Sequence, residues 1–219
     1  MQAMTLKSFQ REFLDFIVAT EVLRFGRFTL KSGRESPYFF NTGLFNSGSA
    51  VGKLGAFYAA AITDCGIPFD MLFGPAYKGI PLAVATAIAM ARDQGRDVGY
   101  AFNRKEVKDH GEGGWMVGAP LQGNVLIIDD VISSGLSVNE SVSLIRQCGA
   151  TPSGVFIAMD RQERGQGSAS AAEEVRQRHG IFVGSIVTLD HLLRYLEEKP
   201  ELARELDAVR RYREQYGAT

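Results

Sequence analysis

Asp129 and Asp130 stand side by side directly after Val125-Leu126-Ile127-Ile128, four apolar residues in a row. Such a run reads as a strand buried on both faces, which puts the two acids at its carboxyl end. Adjacent like charges repel, so this placement calls for a partner; sugar hydroxyls or a divalent cation would supply one. Val131 and Ile132 follow, then a loop of small hydroxyl residues around a glycine, Ser133-Ser134-Gly135-Leu136-Ser137. Ser137-Val138-Asn139-Glu140 matches a capping box, which predicts a helix opening at Ser137. Free backbone N–H groups and the helix dipole there favour an anion, and Ser and Gly allow a phosphate to approach closely. One segment therefore offers acceptors for sugar hydroxyls and, a few residues on, a phosphate cradle. A ribose 5-phosphate carries both groups at about that separation. The competing view makes Asp129 and Asp130 solvated loop acids and the serines simple caps, and the contiguity of the whole segment speaks against it.

Other phosphate motifs do not compete. There is no GxxxxGK[ST] loop, and Gly165-Gln166-Gly167 lacks the third glycine of a dinucleotide fingerprint. Tyr77-Lys78 lies in a strand-to-helix loop flanked by Gly74 and Gly79, where the lysine is either a plain solvated charge or an anion contact. Arg104, Lys105, Lys108 and His110 make a local basic cluster with Glu106, Asp109 and Glu112 between them and glycines at 111, 113, 114 and 118. It reads as a solvated charged loop or as a cationic flap able to close on an anionic leaving group and exclude water. The interspersed acids do not suit a nucleic-acid patch.

The elements that must hold these groups alternate along the chain. Phe9, Phe13, Phe16 and Ile17 share one helical face, so residues 5–23 read as an opening helix. Phe28 to Ser32 and Tyr38 to Asn41 read as two short strands of a hairpin. Residues 49–64 form a predicted helix ending near Gly66. Predicted strands follow at Met71–Phe73, Val98–Phe102, Val125–Ile128, Val155–Met159 and Ile181–Thr188. Predicted helices lie at Pro81–Ala91, Ser137–Cys148 and 169–179. Asp190 is read as capping a helix interrupted at Pro200, before a charged terminal helix at 201–215. Asn103 to Gly123 reads as one long polar stretch. Such alternation predicts an α/β fold: a mostly parallel, twisted sheet flanked by helices on both faces. Ligands of such sheets bind beyond the carboxyl ends of the strands, which is where the acid pair falls. The simplest organisation is a single domain over 1–219, with residues up to about 45 forming a small N-terminal hood.

Composition narrows the class. At 45% hydrophobic and 22% charged residues the chain is an ordinary globular sequence, which argues against disorder and fibrous repeats. Its formal charge of −1 lacks the basic excess of a non-specific nucleic-acid binder, so no nucleic-acid partner is expected. Cys65 and Cys148 are the two cysteines, without CxxC spacing, which fits free thiols in a reducing cytoplasm. No apolar stretch reaches the ~20 residues of a membrane helix, so no membrane partner is expected either.

The segment from Val125 to Ser137 resembles the phosphoribosyl-diphosphate-binding motif of type I phosphoribosyltransferases. Further stretches narrow the likeness to the orotate phosphoribosyltransferases: Phe25 to Arg34, Ser36 to Asn41, Gly74 to Pro81, Phe102 to Glu106 with Lys108 to Gly114, and Asp160 to Arg164. The likeness runs from the first helix to the terminal one. It implies the type I phosphoribosyltransferase fold and transfer of the phosphoribosyl group of 5-phosphoribosyl 1-diphosphate to orotate, a step of pyrimidine synthesis. It also implies Mg²⁺ held mainly by substrate oxygens, with no dedicated protein metal site, and a homodimer with shared active sites.

The resemblance assigns roles residue by residue. Asp129 and Asp130 would hold the ribose hydroxyls and Ser133, Ser134, Gly135, Leu136 and Ser137 the 5-phosphate, with Val131 and Ile132 also in the phosphoribosyl-diphosphate site. Leu136 departs from the hydroxyl residue usual there, so a side-chain contact is lost at that position. Tyr77 and Lys78 would meet the diphosphate. Arg104, Lys105, Lys108 and His110 would reach the neighbouring subunit's site, where His110 is a candidate proton donor. Lys31 would serve the anionic substrates; Phe39, Phe40 and Ser133 would contact orotate, and Arg161 would pair with its carboxylate through its fork geometry. Read without the family, Phe39-Phe40 is core and Arg161 pairs with Asp160 or Glu163. A phosphoribosyltransferase for another base, or a non-catalytic regulator sensing phosphoribosyl diphosphate, are the competing functions.

Overall fold

The computed structural model describes residues 5–30, 33–108, 114–165 and 167–218, with residues 107 and 108 entering as backbone alone. Among these residues the strands are β1 (Leu23–Thr29), β2 (Glu35–Phe40), β3 (Met71–Gly74), β4 (Gly99–Lys108), β5 (Gly114–Gly118), β6 (Asn124–Ile128), β7 (Thr151–Asp160) and β8 (Phe182–Thr188). The helices are α1 (Ser8–Ala19), α2 (Gly48–Cys65), α3 (Gly79–Gln94), α4 (Leu136–Gln147), α5 (Ala171–His179), α6 (Leu189–Glu197) and α7 (Ala203–Tyr216). β1 and β2 form an antiparallel hairpin. The other six strands make one sheet in the order β5-β4-β3-β6-β7-β8, parallel throughout except for the β4–β5 edge pair.

The expected α/β architecture is present, and its two layers follow from side-chain alternation. Leu126 and Ile128 of β6 pack with Leu72, Phe156 and Ala158 against α1, α2, α3 and α6. Val125 and Ile127 face the other way, packing with Phe73, Val155 and Ile157 against α4 and α5. A run apolar at every position is what a strand covered on both faces requires. On α2 the buried residues Leu54, Phe57, Tyr58, Ala61 and Ile62 recur at helical spacing. Leu54, Phe57 and Ile62 contribute roughly 1.5–3 kcal/mol each when fully buried.

Several boundaries differ from the sequence reading. The opening helix is shorter, and the first hairpin strand starts earlier, at Leu23. The stretch from Asn103 was expected to be loop, but β4 runs on to Lys108 and β5 pairs back on it. This is an edge pair: the outer half of β4 is charged, and β5 is only three apolar residues between glycines, too short for periodicity to reveal. The capping box expected at Ser137 does not form: Gly135 is the N-cap and makes no side-chain cap. Nor does Asp190 cap α6. Thr188 does, in a reciprocal pair with His191, and Asp190 lies in the first turn. A 3-10 turn at Pro200–Leu202 separates α6 from α7, as the interruption at Pro200 suggested.

The order of strands creates a switch point. From β3 the chain proceeds outward to β4 on one side, then returns to place β6 on β3's other side. The carboxyl ends of β3 and β6 thus border the crevice where doubly wound sheets bind ligands. Tyr58 on α2 braces this edge from below: its hydroxyl donates to the Asp129 carbonyl at 2.7 Å, with the ring fully buried. Tyr58→Phe strips that carbonyl of its donor, and an unmet buried acceptor costs about 1–3 kcal/mol. Urea denaturation should therefore show a lowered midpoint with an unchanged slope. An unaltered midpoint would mean that the hydroxyl does not support the strand end.

Candidate active site

The acid pair is buried although it lies at a loop, each residue keeping 7% of its surface accessible. Its oxygens are individually partnered. Asp129 Oδ1 accepts the Asp130 backbone N–H at 2.9 Å, and Oδ2 accepts the Ser137 hydroxyl at 3.0 Å. Asp130 Oδ1 accepts from the Val131 N–H at 2.9 Å. Its Oδ2 accepts from Thr42 Oγ1 at 2.6 Å and Lys78 Nζ at 2.8 Å. The backbone stays laddered to β7 through Asp129 N–H to Phe156 O, 3.1 Å, and Ala158 N–H to Asp130 O, 2.9 Å. The pair is therefore held both by the sheet ladder and by donors from three other segments.

Ser137 explains the missing cap. A hydroxyl can satisfy a helix N–H or a buried carboxylate, and the charge-assisted bond is the stronger. Gly135 then turns the chain into α4 with φ 72°, a conformation that disfavours other residues. Ser133, Ser134 and Leu136 are exposed around this helix start, Leu136 at 64%. Val131 and Ile132 are half-buried beneath it. Asn139, in the first turn of α4, is tied to α5 by His179 Nε2 at 2.6 Å.

Lys78 reaches the acids from across the switch point. A β-carbon at Gly79 would stand 2.4 Å from Pro75 Cδ and 2.8 Å from Ile128 O, so only glycine lets this loop seat on the end of β6. Asn103 steadies the same loop by accepting the Ala76 N–H at 2.9 Å. Tyr77 is 68% exposed, and Lys105 Nζ lies 5.2 Å from its ring centre. Arg104 Nη1 donates to the Gly114 carbonyl at 3.3 Å, across the β4–β5 ribbon.

The remaining candidates are distributed as follows. Lys31 and His110 lie outside the described residues, and Lys108 ends β4 with its backbone alone described. Phe39 stacks on Phe28 at 5.5 Å, and Phe40 packs partly buried against the main core, while Tyr38 between Pro37 and Phe39 is fully buried. Arg161 pairs with Glu163 rather than Asp160, at 2.6 Å, and lies over the Tyr38 ring at 4.6 Å.

The structure thus brings together Asp129, Asp130, Lys78 and Ser137, and sets Tyr77 beside Lys105. Thr42, Asn103, Tyr58 and Glu163 were not anticipated as site residues. Thr42 is 88 positions from Asp130, and nothing local marks it. The motif of an apolar run followed by two acids does, in principle, demand extra donors, but not from a named place.

Burial and the neighbouring Asp130 charge push the Asp129 carboxyl up to about 6. Burial and the same two acids push the Tyr58 phenol well above its ordinary value. The donor set also suits a Mg²⁺ ion. Two carboxylates lie together, and no cluster of three or more His, Cys, Asp or Glu occurs among the described residues. Magnesium commonly takes one or two carboxylates and completes its shell with water and phosphate oxygens.

Comparison with known proteins bears on the same region. A family model for the phosphoribosyl transferase domain matches residues 45–188. The chain is 62% identical over 213 residues to an orotate phosphoribosyltransferase of Nitrosococcus oceani, covering 97% of each chain. It is 59% identical over 214 residues to that of Yersinia pestis, covering 98% of this chain and 100% of the other. Among solved structures, the orotate phosphoribosyltransferase of Francisella tularensis matches with a TM-score of 0.86 at 39% identity, over 94% of this chain and 100% of that one.

The raised Asp129 carboxyl fixes the sign of a stability change. The folded chain keeps this proton up to about pH 6, whereas the unfolded chain releases it near the ordinary value of 3.8. Between those pH values the folded state binds more protons, so its stability declines as pH rises through the window. Asp129→Asn keeps an acceptor for the Asp130 N–H and removes the charge. Its melting temperature should exceed the parent's above pH 6, with the gain vanishing towards pH 4. A gain that is the same at both ends would remove the charge argument.

Proposed function

The chain belongs to the orotate phosphoribosyltransferases of the phosphoribosyl transferase family, and from that premise we propose how its residues carry out the transfer. The reaction joins orotate to C1 of the ribose of 5-phosphoribosyl 1-diphosphate, releasing diphosphate and giving orotidine 5′-phosphate, a step of pyrimidine nucleotide synthesis. The observation that carries the reading is the buried acid pair at the end of β6, met by Lys78 across the switch point and followed by the glycine-capped start of α4.

Asp129 and Asp130 accept the ribose 2- and 3-hydroxyls. Lys78 then exchanges part of its contact with Asp130 for the diphosphate, beside Tyr77. The backbone N–H groups of Ser133 to Ser137, with the hydroxyls of Ser133 and Ser134, hold the 5-phosphate. As the bond to diphosphate lengthens, positive charge grows on the ribose ring, and the fixed negative field of the two carboxylates stabilises it without reorganising. Arg161 receives the orotate carboxylate. Lys31, Phe39 and Phe40 complete the base and anion contacts, as the family resemblance implies. Mg²⁺ is the proposed cofactor: when bound, it neutralises charge on the diphosphate, and Asp129 and Asp130 are the carboxylates able to lend it a ligand.

Arg104, Lys105, Lys108 and His110 are proposed to act on the site of a second copy of the chain in a homodimer, closing over the leaving group. The exposed apolar side chains Ile88 on α3 and Tyr100 on β4 offer surface for self-association. A cytoplasmic location is proposed from two free cysteines. Among the described residues, no helix is long and apolar enough to cross a membrane.

With Mg²⁺ and phosphoribosyl diphosphate, the protein should consume orotate, followed as falling ultraviolet absorbance, and leave adenine and hypoxanthine untouched. Asp129→Asn with Asp130→Asn should cut turnover by about 10²-fold or more while the fold persists, since removing one preorganised charged group costs on that order; full activity would end the assignment of the ribose site. Mixing Lys108→Ala subunits with Asp129→Asn subunits should restore part of the lost activity if sites are shared. Verified heterodimers without recovery would rule out that arrangement.

A further inference from the structure

β7 ends at Asp160, and the chain turns through Gln162, whose φ of 50° lies in the left-handed region. That conformation is sparsely populated for a side chain and persists only where its surroundings enforce it. Here they do. Gln162 N–H donates to Asp160 Oδ1 at 2.9 Å, and Ala218 N–H donates to the Gln162 carbonyl at 2.8 Å. The Gln162 amide donates to Asp190 Oδ2 at 3.0 Å and accepts the Asp190 N–H at 2.9 Å. One step on, Glu163 bridges Gly217 antiparallel, and Arg164 N–H donates to the Tyr216 carbonyl at 3.0 Å. From the hairpin, Arg34 donates to the carbonyls of Arg164 at 2.9 Å and Gly165 at 3.2 Å. The turn is clamped between the N-terminal hairpin and the C-terminal end of the chain.

This clamped turn carries Arg161 and Glu163. Arg161 Nε donates to Glu163 Oε1 at 2.8 Å, and Nη2 lies 2.6 Å from the same oxygen. Nη2 also donates to Ser36 Oγ at 3.3 Å, and the guanidinium lies over the Tyr38 ring. The Tyr38 hydroxyl donates to Glu163 Oε1 at 3.2 Å. Tyr212 of α7 closes the cluster, edge-on to Tyr38 with ring centres 6.1 Å apart. One edge and one face of the guanidinium are therefore occupied. A planar fork held in that way presents its remaining edge, at Nη1, in a fixed direction. A guanidinium with its side chain only 21% exposed also needs a counter-charge, which Glu163 provides.

We infer that Glu163 is a positioning residue for orotate binding, acting through Arg161, and that Tyr38 and the C-terminal segment hold it in register. The inference rests on the reading of Arg161 as the partner of the orotate carboxylate. Its effect is on orientation: the bound carboxylate meets a guanidinium that has little freedom left to lose.

Steady-state kinetics on the purified enzyme test it. Glu163→Ala should raise KM for orotate about tenfold and leave KM for phosphoribosyl diphosphate within about twofold. Glu163→Gln keeps an acceptor oxygen and should recover most of that loss. Tyr38→Phe, which removes a single hydroxyl, should raise KM for orotate about threefold and serves as the test if Glu163→Ala does not fold. In an Arg161→Ala background each of these changes should add less than twofold. If Arg161→Ala itself leaves KM for orotate unchanged, the carboxylate assignment fails and the inference falls with it. If Arg161→Ala raises KM for orotate while neither Glu163→Ala nor Tyr38→Phe does, or if both raise the two KM values equally, the positioning role is overturned and the assignment of Arg161 stands.

Discussion

Two carboxylates on consecutive residues, buried at the end of a strand, are the constraint around which this protein is arranged. Left alone, the pair would be pushed towards protonation by burial and by mutual repulsion, and Asp129 shows that pressure. What keeps the arrangement intact is a set of donors from distant parts of the chain. Thr42 comes from the turn after the hairpin, Lys78 from the loop after β3, Ser137 from α4, and Tyr58 from α2 beneath the strand. Each neutralises or fixes one oxygen, and none relieves the repulsion fully. A site so built is stable enough to persist and still favours hydroxyl donors and positive charge when substrate arrives.

The topology makes these meetings possible. β3 and β6 are neighbours in the sheet but far apart in sequence, and the chain reverses direction between them. The loops that follow them project at the same edge, so a cation on one can reach an anion on the other. Gly79 supplies the missing volume that lets the β3 loop descend onto Ile128. On the far side of β6, β7 delivers Arg161 at the same edge, under the hairpin and against the terminal helix. The N-terminal hairpin and the C-terminal helix thus converge on the Arg161 cluster, one strand over from the acid pair.

Much of this was legible in the residues. Apolar runs marked the parallel strands, helical spacing marked α1 and α2, and the acid pair was legible at the carboxyl end of a buried strand. What was missed was decided by groups outside each local motif. Ser137 carried a sound local signal for a cap, but the buried carboxylate of Asp129 competes for the same hydroxyl and wins. Asp190 likewise lost the capping position to Thr188 and His191, and exchanges hydrogen bonds with Gln162 instead. β5 is a short apolar run between glycines, Trp115-Met116-Val117, and the outer half of β4 that it pairs with is polar and charged, so only the pairing revealed both. The pairing of Arg161 with Glu163 was one of two open local choices, and the left-handed turn at Gln162 lies between the two partners.

Sequence alone determined what covalent adjacency and short-range periodicity can encode: the order of the parallel strands and the helices, the neighbouring acids at a strand end, and the hydroxyl loop ahead of α4. Tertiary structure decided which donor each acid received, which edge of Arg161 stayed open, and which of two competing partners a given hydroxyl chose. The physical reason is that a buried charge must be satisfied by whatever group the fold brings within hydrogen-bonding distance. That group is selected by sheet order and close packing, not by its distance along the chain.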